Sequence, residues 1–288
     1  DELRAAGHDA VAAQLAGTVA GAVETRDGIF ETARQYASCL LDPAVAAWVT
    51  PHRNLPEFDP HAFVASRDTL YLLSKDGGGS ASALIAAAAD AVMRAAVQLA
   101  ERSGGRLDPP LLAILDEAAN VCRIKDLPDL YSHLGSRGVI PLTILQSYRQ
   151  GQRVWGEAGM DALWSAATVK IIGSGIDDAD FADKLSRLVG DHEVEALSTS
   201  STDTALGKNI SVSTRTERLL PPDAIRALPK GQALLFATGI RPARLTLRPW
   251  YRGPEAQQLA AASAKATAGI TARANAKHTG PADWHLPT

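Results

Sequence analysis

The stretch LLAILDEAANV, Leu111–Val121, decides how this chain is read. Five apolar residues run without interruption into two adjacent carboxylates, Asp116 and Glu117, after which small and apolar residues return. An apolar run of this length predicts a strand buried on both faces, as in a parallel sheet covered by helices. The carboxylates at its end have two readings. In nucleotide hydrolysis a strand-end Asp holds the Mg2+ shell and the next acidic residue polarises the attacking water. In a structural role Asp116 caps the following helix, where free backbone N–H groups and the helix dipole stabilise a carboxylate.

Working outward, VIPLTILQ at Val139–Gln146 is a second apolar run, and it ends on Gln146. The two runs predict neighbouring parallel strands with Asp116 and Gln146 on one rim, the edge where open α/β sheets place ligand-contacting side chains. A Gln there can bond a γ-phosphate or the lytic water; alone it would read as a loop residue. Apolar runs at Thr69–Leu73 and Val169–Gly173, alternating with helical patterns at about Ser82–Glu101, Leu127–Ser136, on to Ala167, and over DADFADKLSRLVG, predict an α/β fold with a mainly parallel sheet flanked by helices. After Gly190 the texture becomes Ser/Thr-rich alternation around Gly207-Lys208-Asn209, a polar β-hairpin. GQALLFAT and PARLTLRPW supply two more strands. Three segments result: residues 1–55, Ala-rich and helical; 56–253, the mixed body; and 254–288, an Ala-rich tail that starts helical and is partly disordered.

Composition narrows the chemistry. With 29 Lys and Arg against 32 Asp and Glu, the net charge of −3 gives no global basic field, so nucleic-acid contact must come from a local patch or from neighbouring subunits. Cys39 and Cys122 form no disulfide framework, no short-spaced histidine pair marks a metal site, and a reducing cytoplasm fits best. The apolar segment Ala81–Ala100 is interrupted by Asp90 and Arg94, which argues against a bilayer span. The chain opens on Asp1 with no signal-peptide pattern, and we expect it to be a segment of something larger.

Nucleotide chemistry also needs a phosphate cradle, and the pattern G-x-x-x-x-G-K-[ST] occurs nowhere. LLSKDGGGSASALI is Gly-rich and opens a helix, but its Lys75 precedes the glycines, so it reads as a strand-to-helix loop.

The segment RLDPPLLAILDEAANVCRIKDLPDLYSHLGSRGVIPLTILQSYRQGQRVWG, Arg106–Gly156, resembles the Walker B and glutamine motifs of the type IV secretion coupling proteins, the TraG/TraD-like conjugative DNA pumps. The likeness extends upstream through TRDGIFETARQYASCLLDPAVAAWV and FDPHAFVASRDTLYLLS, and downstream through RLVGDHEVEALSTSSTDT, RLLPPDAIRALPKGQALLFATG and RPWY. The resemblance implies a RecA-like P-loop-NTPase-type motor with an inserted all-α domain, of which residues 1–55 would be the C-terminal part. It implies a homo-hexamer anchored at the cytoplasmic face of the membrane, using ATP and Mg2+ to deliver a DNA–relaxase substrate to a type IV secretion channel. By position Asp116 matches the Mg2+-associated aspartate, acting through water, Glu117 the catalytic glutamate and Gln146 the sensing glutamine. Arg137 lies near the position where relatives carry a basic residue that reaches a neighbouring subunit's nucleotide.

In that family the Walker A loop and the transmembrane anchor precede the region matched here. The expectation is therefore a C-terminal portion, without membrane contact of its own and inefficient in ATP hydrolysis alone. Two other readings stand beside it. LDEAA resembles a helicase box, and another RecA-like DNA translocase would share it, but the later helicase motifs are not recognisable; SAAT at Ser165–Thr168 is a near miss. A non-catalytic docking module for a relaxase or secretion partner, using the N-terminal helices and the hairpin, fits the missing phosphate loop. By charge alone, Arg149, Arg153, Lys208 and Arg215 are candidate DNA contacts.

Overall fold

The computed structural model describes residues 2–51, 57–74, 81–200 and 209–277. The chain forms two compact units, Asp1–Ala167 and Thr168–Thr288.

The first unit begins with short helices, α1 (Glu2–Ala5), α2 (Asp9–Ala20), α3 (Val23–Ala37), α4 (Pro43–Val49) and α5 (Pro60–Val64). Asp42 and Asp59 start the last two by accepting the N–H groups of Ala44 and His61, each at 2.8 Å, with Pro at the first helical position. Helix α2 buries no residue, and its stripe of Val11, Leu15 and Val19 stays about half exposed. The core forms further along. Helix α6 (Ser82–Arg102) turns Ile85, Met93, Ala96 and Ala100 inward at helical spacing, and Ala at the contact lets the sheet approach closely. By length and composition α6 is apolar enough to cross a bilayer. Its inner face is instead the wall of a protein core, and its flank carries an Asp90–Arg94 pair at 2.7 Å.

Strands β1 (Leu111–Leu115) and β2 (Val139–Thr143) pair in parallel, Leu111 opposite Val139 and Leu115 opposite Thr143. Between them lie α7 (Ala118–Val121) and α8 (Leu127–Leu134), and after β2 comes α9 (Tyr148–Ala166). Leu115, Val139, Cys122, Leu127, Leu134, Met160 and Leu163 close the core against α6. Gly138, which enters β2, has φ +78°, and a Cβ there would lie 2.8 Å from the Leu107 carbonyl oxygen, so glycine is required. Gly156 (φ 73°) divides α9 into two helical halves.

Three expectations change. Only β1–β2 is parallel among the described residues, not most of the sheet. The second reversal concerns coverage: Leu112, Ile114, Ile140, Leu142 and Ile144 stand 41–59% exposed, so the pair is covered on one face. Continuous apolar runs record the demand for burial, not the strand direction or the covering element. Thirdly, Thr69–Leu73 makes no ladder among the described residues; Leu72 packs on the core while Tyr71 and Leu73 face outward. The Gly-rich loop with Lys75 lies outside the described residues.

In the second unit β3 (Val169–Gly173) pairs antiparallel with β6 (Gln232–Ala237), and β6 with β7 (Ala243–Thr246). The short β6–β7 connection permits only antiparallel pairing. Helix α10 (Ala179–Val189) is capped by Asp178 and buries Ala182, Leu185 and Ser186. Strands β4 (Asp191–Ser200) and β5 (Asn209–Arg218) form the expected hairpin ribbon, whose turn, with Gly207 and Lys208, lies outside the described residues. Asp183 of α10 anchors the ribbon by accepting Arg218 Nη1 at 2.8 Å and Arg187 Nε at 2.8 Å, and these partners, Arg187 first, hold its carboxyl below the usual range. Helix α11 (Pro222–Arg226) buries Ile225, and α12 (Ala256–Lys277) is helical where a tail was expected to begin as one; residues beyond Lys277 lie outside the described part.

Candidate functional site

The rim expected from the sequence is present. The parallel register places the carboxyl ends of β1 and β2 side by side, and Asp116, Glu117 and Gln146 follow directly from them. Two backbone bonds lock the ends: Ile144 N–H to the Leu115 carbonyl at 3.0 Å and Ala118 N–H to the Ile144 carbonyl at 3.1 Å. Tyr131 of α8 adds a bond to Thr143 Oγ1 at 2.7 Å.

Glu117 occupies the left-handed region, φ 46° and ψ 43°. A non-glycine residue there costs about 1–3 kcal/mol, and such strain gathers at sites where position matters more than stability. The turn swings Glu117 across the rim, where its Oε1 accepts Gln146 Nε2 at 2.9 Å. Asn120 Nδ2 approaches Oε2 at 3.4 Å, Gln150 Nε2 donates to Asn120 Oδ1 at 2.8 Å, and Gln146 N–H donates to Gln150 Oε1 at 3.2 Å. Asp116 is exposed, and its Oδ1 accepts the N–H of Glu117 at 3.1 Å. Helix α7 is only four residues long, and its N-cap residue Glu117 makes no side-chain cap bond.

Arg137 sits elsewhere in this chain. It precedes β2 and ion-pairs with Glu101 at 3.5 Å, while its carbonyl accepts Leu107 N–H. A five-residue strand separates it from Gln146, about 16 Å at the usual rise. Arg149 and Arg153 are exposed on α9, Arg215 lies by Glu217 at 3.6 Å on the ribbon, and Lys208 lies outside the described residues.

The oxygen-rich rim suits the hard cation Mg2+: an exposed carboxylate at a strand end can accept from metal-bound waters. No cluster of three or more His, Cys, Asp or Glu forms an all-protein metal cage among the described residues. Both cysteines are buried and outside any disulfide, and burial pushes the Cys122 thiol up to about 11, so Cys122 is a packing residue. Asn120 and Gln150 were not singled out by sequence reasoning. Their signal was spacing, one helical turn after Glu117 and after Gln146.

The fold and rim define a parallel strand pair whose carboxyl ends carry two carboxylates and a glutamine. Residues 110–230 match the family model described as the TraM recognition site of TraD and TraG. Over 79% of the chain the fold is similar to that of the plasmid coupling protein TrwB bound to the non-hydrolysable GTP analogue GDPNP, at 21% identity and TM-score 0.54, covering 50% of that protein. Unbound TrwB lacking its first 70 residues gives 24% identity and TM-score 0.47 over 58% of this chain and 37% of that one. TrwB with ADP and Mg2+ gives 25% and 0.45 over 58% and 36%. No curated protein sequence matches the chain. The resemblance to the conjugative coupling proteins is thus shown over residues 110–230, and the chain spans about half or less of the TrwB chains it matches.

Proposed function

We propose that this chain is the C-terminal part of a conjugative coupling ATPase, which in the complete protein links ATP hydrolysis to delivery of a DNA–relaxase substrate to a type IV secretion channel. The observation that carries this reading is the Glu117–Gln146 hydrogen bond across the carboxyl ends of two parallel strands. Glu117 orients the attacking water and accepts its proton, and Gln146, with a second N–H on the same nitrogen, reports the γ-phosphate or fixes that water. Asp116 accepts from waters of the Mg2+ shell; the ion itself, bound with ATP, neutralises phosphate charge. Because Arg137 is remote from its own chain's rim, its role is in trans, in a homo-hexamer at the cytoplasmic face of the membrane. Residues 1–55 would then be the end of the all-α domain, 56–253 motor and 254–288 a tail.

A second role rests on the description of the matched family as a TraM recognition site: part of residues 110–230 docks a partner protein of the DNA-processing complex.

The test is Glu117→Gln in the complete coupling protein, assayed for ATP turnover, nucleotide affinity and conjugation frequency. Turnover and transfer should fall at least about 100-fold with ATP affinity retained. Wild-type turnover in a folded variant overturns the hydrolytic assignment and leaves the docking role.

A further inference from the structure

We infer that Asn120 and Gln150 are positioning residues that hold the Glu117–Gln146 pair in a closed ring of four residues, fixing the water-activating carboxylate before nucleotide binds. The inference rests on the hydrolytic reading of Glu117.

The ring follows from donor and acceptor arithmetic. A carboxylate only accepts, so both amides that reach Glu117 must present their NH2 groups, Gln146 at 2.9 Å and Asn120 at 3.4 Å. Asn120 then turns its oxygen away from Glu117, and that oxygen takes the NH2 of Gln150 at 2.8 Å. Gln150 is left with its oxygen, which accepts the backbone N–H of Gln146 at 3.2 Å and closes the circuit. Each amide orientation is dictated by the one acceptor-only member, and Gln146 is held by both its main chain and its side chain.

The placement favours bracing over incidental contact. Asn120 stands one turn beyond Glu117 on α7, and Gln150 one turn beyond Gln146 on α9, so each strand end is steadied by the helix that follows it. Asn120 and Gln150 are half-buried, whereas Gln146 is exposed. Trp155 Nε1 bonds the Ile124 carbonyl at 2.8 Å and ties α9 to the segment after α7, which keeps the two braces in register. The left-handed backbone of Glu117 needs such support to be the populated conformation.

In the complete coupling protein, Asn120→Ala and Gln150→Ala should each lower kcat about tenfold while KM for ATP stays within about twofold, as for misplacement of a group used in the transition state. Gln150→Glu, of equal size, removes the donor to Asn120 without a cavity and should show the same split, so a folding defect in the alanine variants leaves the inference testable. In the 288-residue chain without nucleotide, Gln150→Glu should move the side-chain amide NMR signals of Asn120 and Gln146 and leave those of Gln98 and Gln232 in place. Unmoved signals overturn the ring, as does an unchanged kcat in folded Asn120 and Gln150 variants when Glu117→Gln is inactive. If Glu117→Gln instead retains wild-type turnover, the hydrolytic reading fails by itself, and the positioning role falls with it even where the signals move.

Discussion

The rim of the first unit and the ribbon of the second are both polar, yet they are held in opposite ways. At the rim, Glu117 sits in a strained backbone conformation and four residues from two strand ends and two helices satisfy one another. On the ribbon, β4 and β5 depend on their own ladder, and the side-chain anchor at its base is the Asp183–Arg218 pair, with Arg187 beside it. A strained, cross-braced group is organised for position, whereas a ribbon with one charged foot is organised for reach.

The largest way to break the comparison is through the core beneath the rim. Leu127 is fully buried, and Leu127→Ala should cost about 2–5 kcal/mol, lowering the melting of the first unit and releasing the rim with it. The ribbon ladder, followed by hydrogen exchange, should keep its protection; equal loss in both regions would show that they melt as one. The strain itself supplies a sharper test: Glu117→Gly should raise stability by about 0.5–1 kcal/mol in a denaturant melt while abolishing turnover in the complete protein. A destabilised glycine variant would mean that the ring contributes more than the turn costs.

At the ribbon, the expected effect depends on pH. Because its partners depress the Asp183 pKa in the folded state, its contribution is present above the unfolded value and is lost as pH falls through the lower folded value. Asp183→Asn should therefore melt below wild type at neutral pH, and the gap should close in acid below the carboxylate range. A pH-independent gap would assign the effect to packing. The smallest effect belongs to Arg94→Ala, whose half-exposed pair with Asp90 is a surface ion pair; its thermal melt should change by about 0.5 kcal/mol or less.

Much of the site was legible in the chain because its signals are local. An apolar run followed by Asp-Glu, and another followed by Gln, mark two strand ends, and parallel pairing is the simplest way to bury both. The Ser/Thr alternation about Gly207 likewise marked a hairpin. What the chain by itself determined was therefore which residues demand burial, where the backbone turns and which polar groups stand at the strand ends. Tertiary structure alone decided that β3, β6 and β7 run antiparallel, that Leu72 packs on the core, that Arg137 lies away from Gln146, and that Asn120 and Gln150 join the pair at the rim. The physical reason is that burial and turn preferences belong to single residues and their near neighbours, whereas strand direction and hydrogen-bond partnership depend on which distant segment arrives alongside.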